Sequence, residues 1–243
     1  MNPSKSFPIE QSYINLAIVE TKEQLVKEKK LLDTKLSNKI IGTYEEIYDL
    51  KTKIEIKDIF ERCFEQTKNI LVIRRAGIGK TIFCRYSAYQ WATGAIWQQY
   101  QLVIFIRLRN LTEIRYPPLA SGTRYSLVDL VKTEYCCRNL PEKDETIFKD
   151  QFDKSEVLWL LDGYDEVVQN VPAHLEYLFE QLLRTPHHIL TSRPYLNTLS
   201  YDVQLEIIGF TDNNIKEYVE QFFDQVKDEI NDASFQAQNL LNF

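Results

Sequence analysis

The chain has 243 residues, enough for one well-cored domain with an appendage, and it is 44% hydrophobic with few Gly and Pro, a globular composition. Its net charge of −6 and sequence pI near 5.3 argue against general nucleic-acid binding, which needs a basic face to neutralise phosphates, and leave room only for a local basic patch. No apolar run approaches the ~20 residues of a membrane span, and no signal-peptide pattern opens the chain, so a cytosolic protein that does not engage membranes is expected. Cys63, Cys84, Cys136 and Cys137 show neither disulfide-framework nor zinc-ligand spacing. They read as reduced thiols, with Cys84 in the core.

In chain order, Tyr13 to Val19 suits a short strand or docking segment. Thr21 to Leu36 patterns as a charged amphipathic helix, with Leu25, Leu32 and Leu36 at helical spacing and a solvated Lys/Glu face. One or two short elements occupy Tyr44 to Gln66, where Ile54, Ile56, Ile59 and Phe60 lead into a strand.

That strand, Ile70 to Ile73, is β-branched and apolar on both faces, as a strand buried in a parallel sheet would be. It runs into Arg75-Ala76-Gly77-Ile78-Gly79-Lys80-Thr81-Ile82, a glycine-bearing turn. Gly77 and Gly79 allow a tight turn that brings backbone N–H groups to phosphate oxygens. A helix starting near Lys80 and running through Trp91 adds the positive end of its dipole at the same spot. Lys80 is placed to reach the β- and γ-phosphates, and the Thr81 hydroxyl to hold Mg²⁺. The full phosphate-loop pattern has Gly at its first position, where this chain has Arg74.

Leu102 to Leu108 is a second buried strand. Tyr116 to Tyr125, with Pro117, Pro118 and Gly122, reads as a loop. Ser126 caps a helix to about Tyr135 that turns Leu127, Leu130 and Val131 inward, and Glu142 to Lys154 forms another. Val157 to Leu161 is a third strand, too uniformly apolar to face water, with an acidic cluster at its carboxyl end. Ligands of open α/β sheets bind outside the carboxyl ends of the strands, so Asp162 should face the same crevice as Thr81 and hold Mg²⁺ with it. Asp165 or Glu166 would orient or deprotonate an attacking water. Asn170 and Pro172 open the next helix.

His188 to Ser192 is a fourth strand, closed by Arg193 and Pro194. Arg193 at that strand end could contact the γ-phosphate and report its presence. His187 and His188 read as ordinary surface or core histidines. Gln204 to Ile208 is a fifth strand, and Thr211 caps a helix through Phe223 that buries Ile215, Tyr218, Val219 and Phe222. Strands alternate with helices throughout, the signature of a parallel α/β sheet with right-handed crossovers.

Four motifs, Arg-Ala-Gly-Ile-Gly-Lys-Thr, Leu-Leu-Asp-Gly-Tyr-Asp-Glu, Leu-Thr-Ser-Arg-Pro and Ile-Ile-Gly-Phe-Thr-Asp-Asn-Asn-Ile, occur in the order seen in the NACHT domain, and residues 40–225 resemble that family of signal-transducing P-loop NTPases. Gly163 directly after Asp162, with two acids further on, resembles the NACHT form of the Walker B motif. The resemblance implies a parallel five-stranded P-loop NTPase sheet of order 5-1-4-3-2 with helices on both faces. It also implies three segments: an N-terminal helical stretch (1–40), the nucleotide-binding domain (41–209), and the start of a helical lid (210–243). Base contact from Ile40 to Tyr48, ATP/ADP and Mg²⁺ as ligands, and self-association or protein partners on activation follow from the same source.

Three functions fit this reading: an ATP-dependent conformational switch with slow hydrolysis, a nucleotide-binding scaffold that no longer hydrolyses, and a P-loop kinase acting on a small molecule. The first is the leading reading, and Arg74 with the missing remainder of the lid is the motive for the second. The third lacks a second substrate-binding motif.

Overall fold

The computed structural model describes residues 17–20, 54–62, 68–74, 80–135, 141–153, 156–194, 201, 203–209, 212–225, 227 and 232–241. The strands are Ala17–Glu20 (β1), Lys68–Arg74 (β2), Leu102–Arg107 (β3), Val157–Asp162 (β4), His187–Ser192 (β5) and Val203–Gly209 (β6). The helices are Lys80–Ala92 (α1), Leu127–Tyr135 (α2), Glu142–Asp153 (α3), Tyr164–Val167 (α4), Glu176–Leu183 (α5), Asp212–Gln225 (α6) and Ala233–Leu241 (α7).

The sheet order is β1-β6-β2-β5-β4-β3, and the β2–β5, β5–β4 and β4–β3 pairings are parallel. Counted from the phosphate-loop strand, β6-β2-β5-β4-β3 is the P-loop NTPase order 5-1-4-3-2. β1 adds a strand beyond it, where Tyr13 to Val19 suggested one. There Ile18 is buried, and its carbonyl accepts the Ile54 N–H at 2.8 Å.

All six residues of β4 are buried, which is why its sequence shows no polar alternation. Successive side chains nonetheless go to opposite faces. Val157, Trp159 and Leu161 join Ile104, Ile106, Leu71 and Leu190 on one face, covered by Leu130 and Val131 of α2 and Leu178, Phe179 and Leu182 of α5. Leu158 and Leu160, with Ile70, Val72 and Ile189, are fully buried on the other face, and α1 packs against β3 and β4 while burying Phe83 and Cys84. Each such side chain taken from water contributes roughly 1.5–3 kcal/mol.

The helix boundaries follow from local chemistry. At the start of α2 the Ser126 hydroxyl accepts the Asp129 N–H at 3.2 Å, while Asp129 accepts the Ser126 N–H at 2.8 Å, a reciprocal capping box. At its end the Tyr135 hydroxyl reaches β3, accepting the Phe105 N–H at 2.9 Å and donating to the Phe105 carbonyl. The segment 116–125 is a loop with an anchor the sequence did not announce. Tyr116 is completely buried, with its hydroxyl donating to Glu134 at 2.9 Å.

Three readings need correction. Pro172 leads only a 3-10 turn, Ala173–Leu175, and the α-helix starts at Glu176; before both, the acidic cluster folds into the short helix α4. On α6, Val219 and Phe223 are buried but Tyr218 is 44% exposed, so the apolar stripe lies one position further round than its spacing suggested. A further helix, α7, follows the helix through Phe223, the one lid helix that was expected.

By contacts the chain divides into Ile56–Leu205 and a second unit of Met1–Glu55 with Glu206–Phe243. The expected Thr21 to Leu36 helix, the Ile40 to Tyr48 segment, Thr211, Cys63, Cys136 and Cys137 lie outside the described residues, as does the side chain of Ile215.

Candidate functional site

The carboxyl ends of β4 and β5 bring a carboxylate and two hydroxyls into one buried cluster. Asp162, the last residue of β4, is only 7% exposed. Thr81 in the first turn of α1 donates its hydroxyl to Asp162 Oδ2 at 2.7 Å, across 81 residues of chain. Thr191 on β5 donates to Asp162 Oδ1 at 2.9 Å, and its oxygen accepts the Gly163 N–H at 3.0 Å. The parallel register explains the meeting: Leu161 pairs with Leu190, so the next residue along each strand carries its polar group to the same end of the sheet.

Gly163 then turns the chain with φ 85° and ψ 51°, the left-handed region that a side chain disfavours. An added Cβ there would lie 3.2 Å from the Glu166 carboxyl carbon. The family resemblance asked for a small residue here, and this geometry supplies the physical reason. The turn launches α4, which carries Asp165 and Glu166 in its first turn.

Asp165 is 9% exposed and holds Arg193 through both oxygens. Oδ1 accepts the Arg193 backbone N–H at 3.1 Å, and Oδ2 accepts Nε of its guanidinium at 2.8 Å. The Arg193 side chain is 47% exposed, so one edge of the guanidinium is tethered while the rest reaches water.

The sequence-predicted residues therefore fall into groups. Thr81 meets Asp162, and Asp165 meets Arg193; Glu166 sits against the Gly163 turn. Lys80 opens α1, and Ile82 in its first turn is 48% exposed. Arg75, Ala76, Gly77, Ile78 and Gly79 lie outside the described residues. Sequence reasoning missed Thr191, whose signal was a hydroxyl near the carboxyl end of a strand that follows a carboxylate-bearing one.

At the opposite end of β5 the histidines do other work. His188 is 1% exposed, its ring nitrogens 2.9 Å from the Thr185 carbonyl and 2.6 Å from the Tyr201 hydroxyl. Burial lowers its pKa to about 4, so at neutral pH it is an uncharged core residue. Burial and the nearby Lys68 charge lower that of His187 as well.

Among the described residues no group of three or more His, Cys, Asp or Glu side chains could hold a metal ion, and no helix is long and apolar enough to cross a membrane. Any cation at this site would depend on mixed hydroxyl and carboxylate oxygens.

A model of the NACHT domain matches residues 68–226, the stretch that contains every group above. Human NACHT, LRR and PYD domains-containing protein 3 is 24% identical over 247 residues, covering 90% of this chain and 22% of that protein. Mouse NACHT, LRR and PYD domains-containing protein 9B is 24% identical over 236 residues, covering 82% of this chain and 22% of that protein. The chain thus spans 22% of the length of these curated relatives. Among solved structures, AMPPCP-bound DnaA from Aquifex aeolicus superposes with a TM-score of 0.44 at 16% identity, covering 84% of this chain and 59% of that one.

Proposed function

The chain belongs to the NACHT domain family, and from that premise we propose that it is a cytoplasmic ATP-binding module whose bound nucleotide sets its conformation or assembly in signalling or defence, with slow hydrolysis to ADP and phosphate. The observation that carries this reading is the 2.7 Å contact between Thr81 and Asp162, side chains from the two motifs that a Mg-nucleotide site must bring together.

The donor set fits magnesium. A hydroxyl and a carboxylate are hard oxygen ligands, and Thr81 can present a lone pair to a cation while its O–H stays donated to Asp162. Thr81 and Asp162 would hold the ion, which when bound neutralises charge on the β- and γ-phosphates. Lys80, with the backbone N–H groups of Arg75 to Gly79, holds the phosphate chain, and Ile82 follows it into the first helical turn. Thr191 keeps Asp162 aimed by donating to its second oxygen.

Arg193 and Asp165 give the module its moving part. A γ-phosphate competes with Asp165 for the guanidinium, and a released Asp165, or Glu166 beside it, then orients water for attack. Loss of the phosphate returns Arg193 to Asp165. A second reading, a nucleotide-binding scaffold without turnover, draws on the same pair, because both Asp165 oxygens are occupied.

Calorimetry with Mg-ATP and measurement of phosphate release test the proposal. Binding that disappears in Lys80→Ala, with slow release that falls in Asp165→Asn or Glu166→Gln, is the expected result. Absence of heat with Mg-ATP overturns it, and tight binding with no release selects the scaffold.

A further inference from the structure

We propose that the pocket at the carboxyl end of β3 is a docking site for a protein segment bearing a carboxylate side chain next to an apolar one. The pocket is an open depression of about 380 Å³ lined by Phe105, Arg107, Asn110, Arg115, Glu134 and Tyr135. It lies on the sheet edge and shares no lining residue with the Thr81–Asp162 cluster, although Arg107 and Asp162 are register partners.

Its charges do not cancel. Glu134, 9% exposed, is saturated: Oε1 accepts from Arg115 Nε at 2.6 Å and from the Tyr116 hydroxyl at 2.9 Å, and Oε2 accepts from Asn110 at 2.8 Å. The Tyr135 hydroxyl is committed to the Phe105 backbone. Arg107 has no carboxylate partner among the described residues and lies over the Phe105 ring at 5.8 Å. Among the lining residues two guanidiniums face one carboxylate, and Arg107, which forms no ion pair with its register partner Asp162, keeps N–H donors unspent. A monoanionic carboxylate restores neutrality and matches the planar guanidinium fork. A dianionic phosphate would overshoot beside the poorly hydrated Glu134.

A second feature selects a protein segment over a free acid. Ile114, adjacent to Arg115, is 97% exposed. An isolated exposed aliphatic residue is ordinary, but this one stands on a loop held rigidly from below. Tyr116 is buried, its carbonyl lies 2.7 Å from His174 Nε2, and the Tyr125 hydroxyl donates to the Pro117 carbonyl at 2.7 Å. An exposed apolar side chain next in sequence to Arg115, which lines the same pocket as Arg107, suits an acidic side chain flanked by a leucine-like one.

The test titrates the full chain with two synthetic peptides, acetyl-Leu-Glu-Leu-amide and its Gln counterpart, read by chemical-shift perturbation and repeated for Arg107→Gln and Ile114→Ser. The Glu peptide should perturb Arg107, Ile114 and Arg115 signals and bind roughly tenfold more tightly than the Gln peptide, the difference a charged hydrogen bond makes. Arg107→Gln should erase that preference, and Ile114→Ser should weaken both peptides without changing the melting temperature. Equal binding of both peptides, or a preference that survives Arg107→Gln, overturns the proposal. So does inorganic phosphate displacing the Glu peptide at similar concentration, which marks a plain anion site, or sedimentation showing that the surface instead pairs two copies of this chain.

Discussion

β5 carries a buried polar network at each end. At the amino end, His188 is ringed by Thr185 and Tyr201, and every group in the cluster is neutral at pH 7. At the carboxyl end, Thr191 holds a carboxylate on the neighbouring strand, and the network continues through Gly163 to the Asp165–Arg193 pair at the surface. The first network closes on itself and serves only the fold. The second leaves charge at a crevice, a costly arrangement that persists where a ligand uses it. Burial alone does not separate them, since His188 and Thr191 are equally inaccessible. Charge and open-endedness do.

The largest effect expected of this contrast lies at the amino end. An unfolded imidazole titrates near 6.5 and folded His188 near 4. As pH falls through that window the unfolded chain gains a proton that the folded chain refuses. The contribution is therefore complete above pH 6.5 and gone below about pH 4, roughly 3 kcal/mol in all. Chemical denaturation at pH 7 and pH 4.5 should show the loss, and His188→Gln should remove most of the difference. An unchanged slope in that variant would break the assignment of the amino end as the acid-sensitive one.

Next comes Thr191→Val, which keeps the shape of the residue and removes its hydroxyl. It strands the Gly163 N–H and one side of Asp162 at a cost of roughly 1–3 kcal/mol. Mg²⁺-dependent nucleotide affinity should fall about 10–100-fold, as for other residues that orient a metal ligand. Thr191→Ser should retain both, and affinity measured in EDTA should hardly move. Loss in EDTA as well would mean that the carboxyl end, too, serves only the fold.

Gly163→Ala should cost about 1–2 kcal/mol from the left-handed backbone, because the Glu166 carboxyl group can swing away from the new methyl. Thermal melting reads that cost. The smallest effect on stability is expected from Arg193→Ala, below about 1 kcal/mol, because the guanidinium is half-exposed and Asp165 keeps the backbone N–H of residue 193, while nucleotide turnover changes markedly. A large melting shift with unaltered turnover would move Arg193 into the structural class with His188.

The strands were legible because β2 and β4 write their burial as uninterrupted apolar runs, whereas their order came from the family resemblance. The meeting of Thr81 with Asp162 followed from strand-end logic. What escaped depends on three-dimensional partners. Thr191 looks like any polar residue closing a strand until Asp162 lies beside it, and the Arg193–Asp165 pair joins residues 28 apart. Pro172 was placed in a helix because proline suits a first turn, yet it precedes a 3-10 segment instead. Tyr218 shows how a short amphipathic stripe in a chain rich in aromatics leaves the angular position of the buried face undetermined by about one residue.

The contact of Tyr135 with Phe105 has an effect beyond its own hydrogen bonds. Among the described residues β3 pairs with β4 on one side only, and an unpaired strand flank is a template on which other chains can add in register, the first step towards fibres. One phenolic oxygen occupies both the donor and the acceptor at the middle of that flank, standing in for a missing strand. Tyr135→Phe leaves the ring and most of the packing in place but uncovers the template. Such a protein should melt nearly as before and yet turn thioflavin-positive on prolonged incubation.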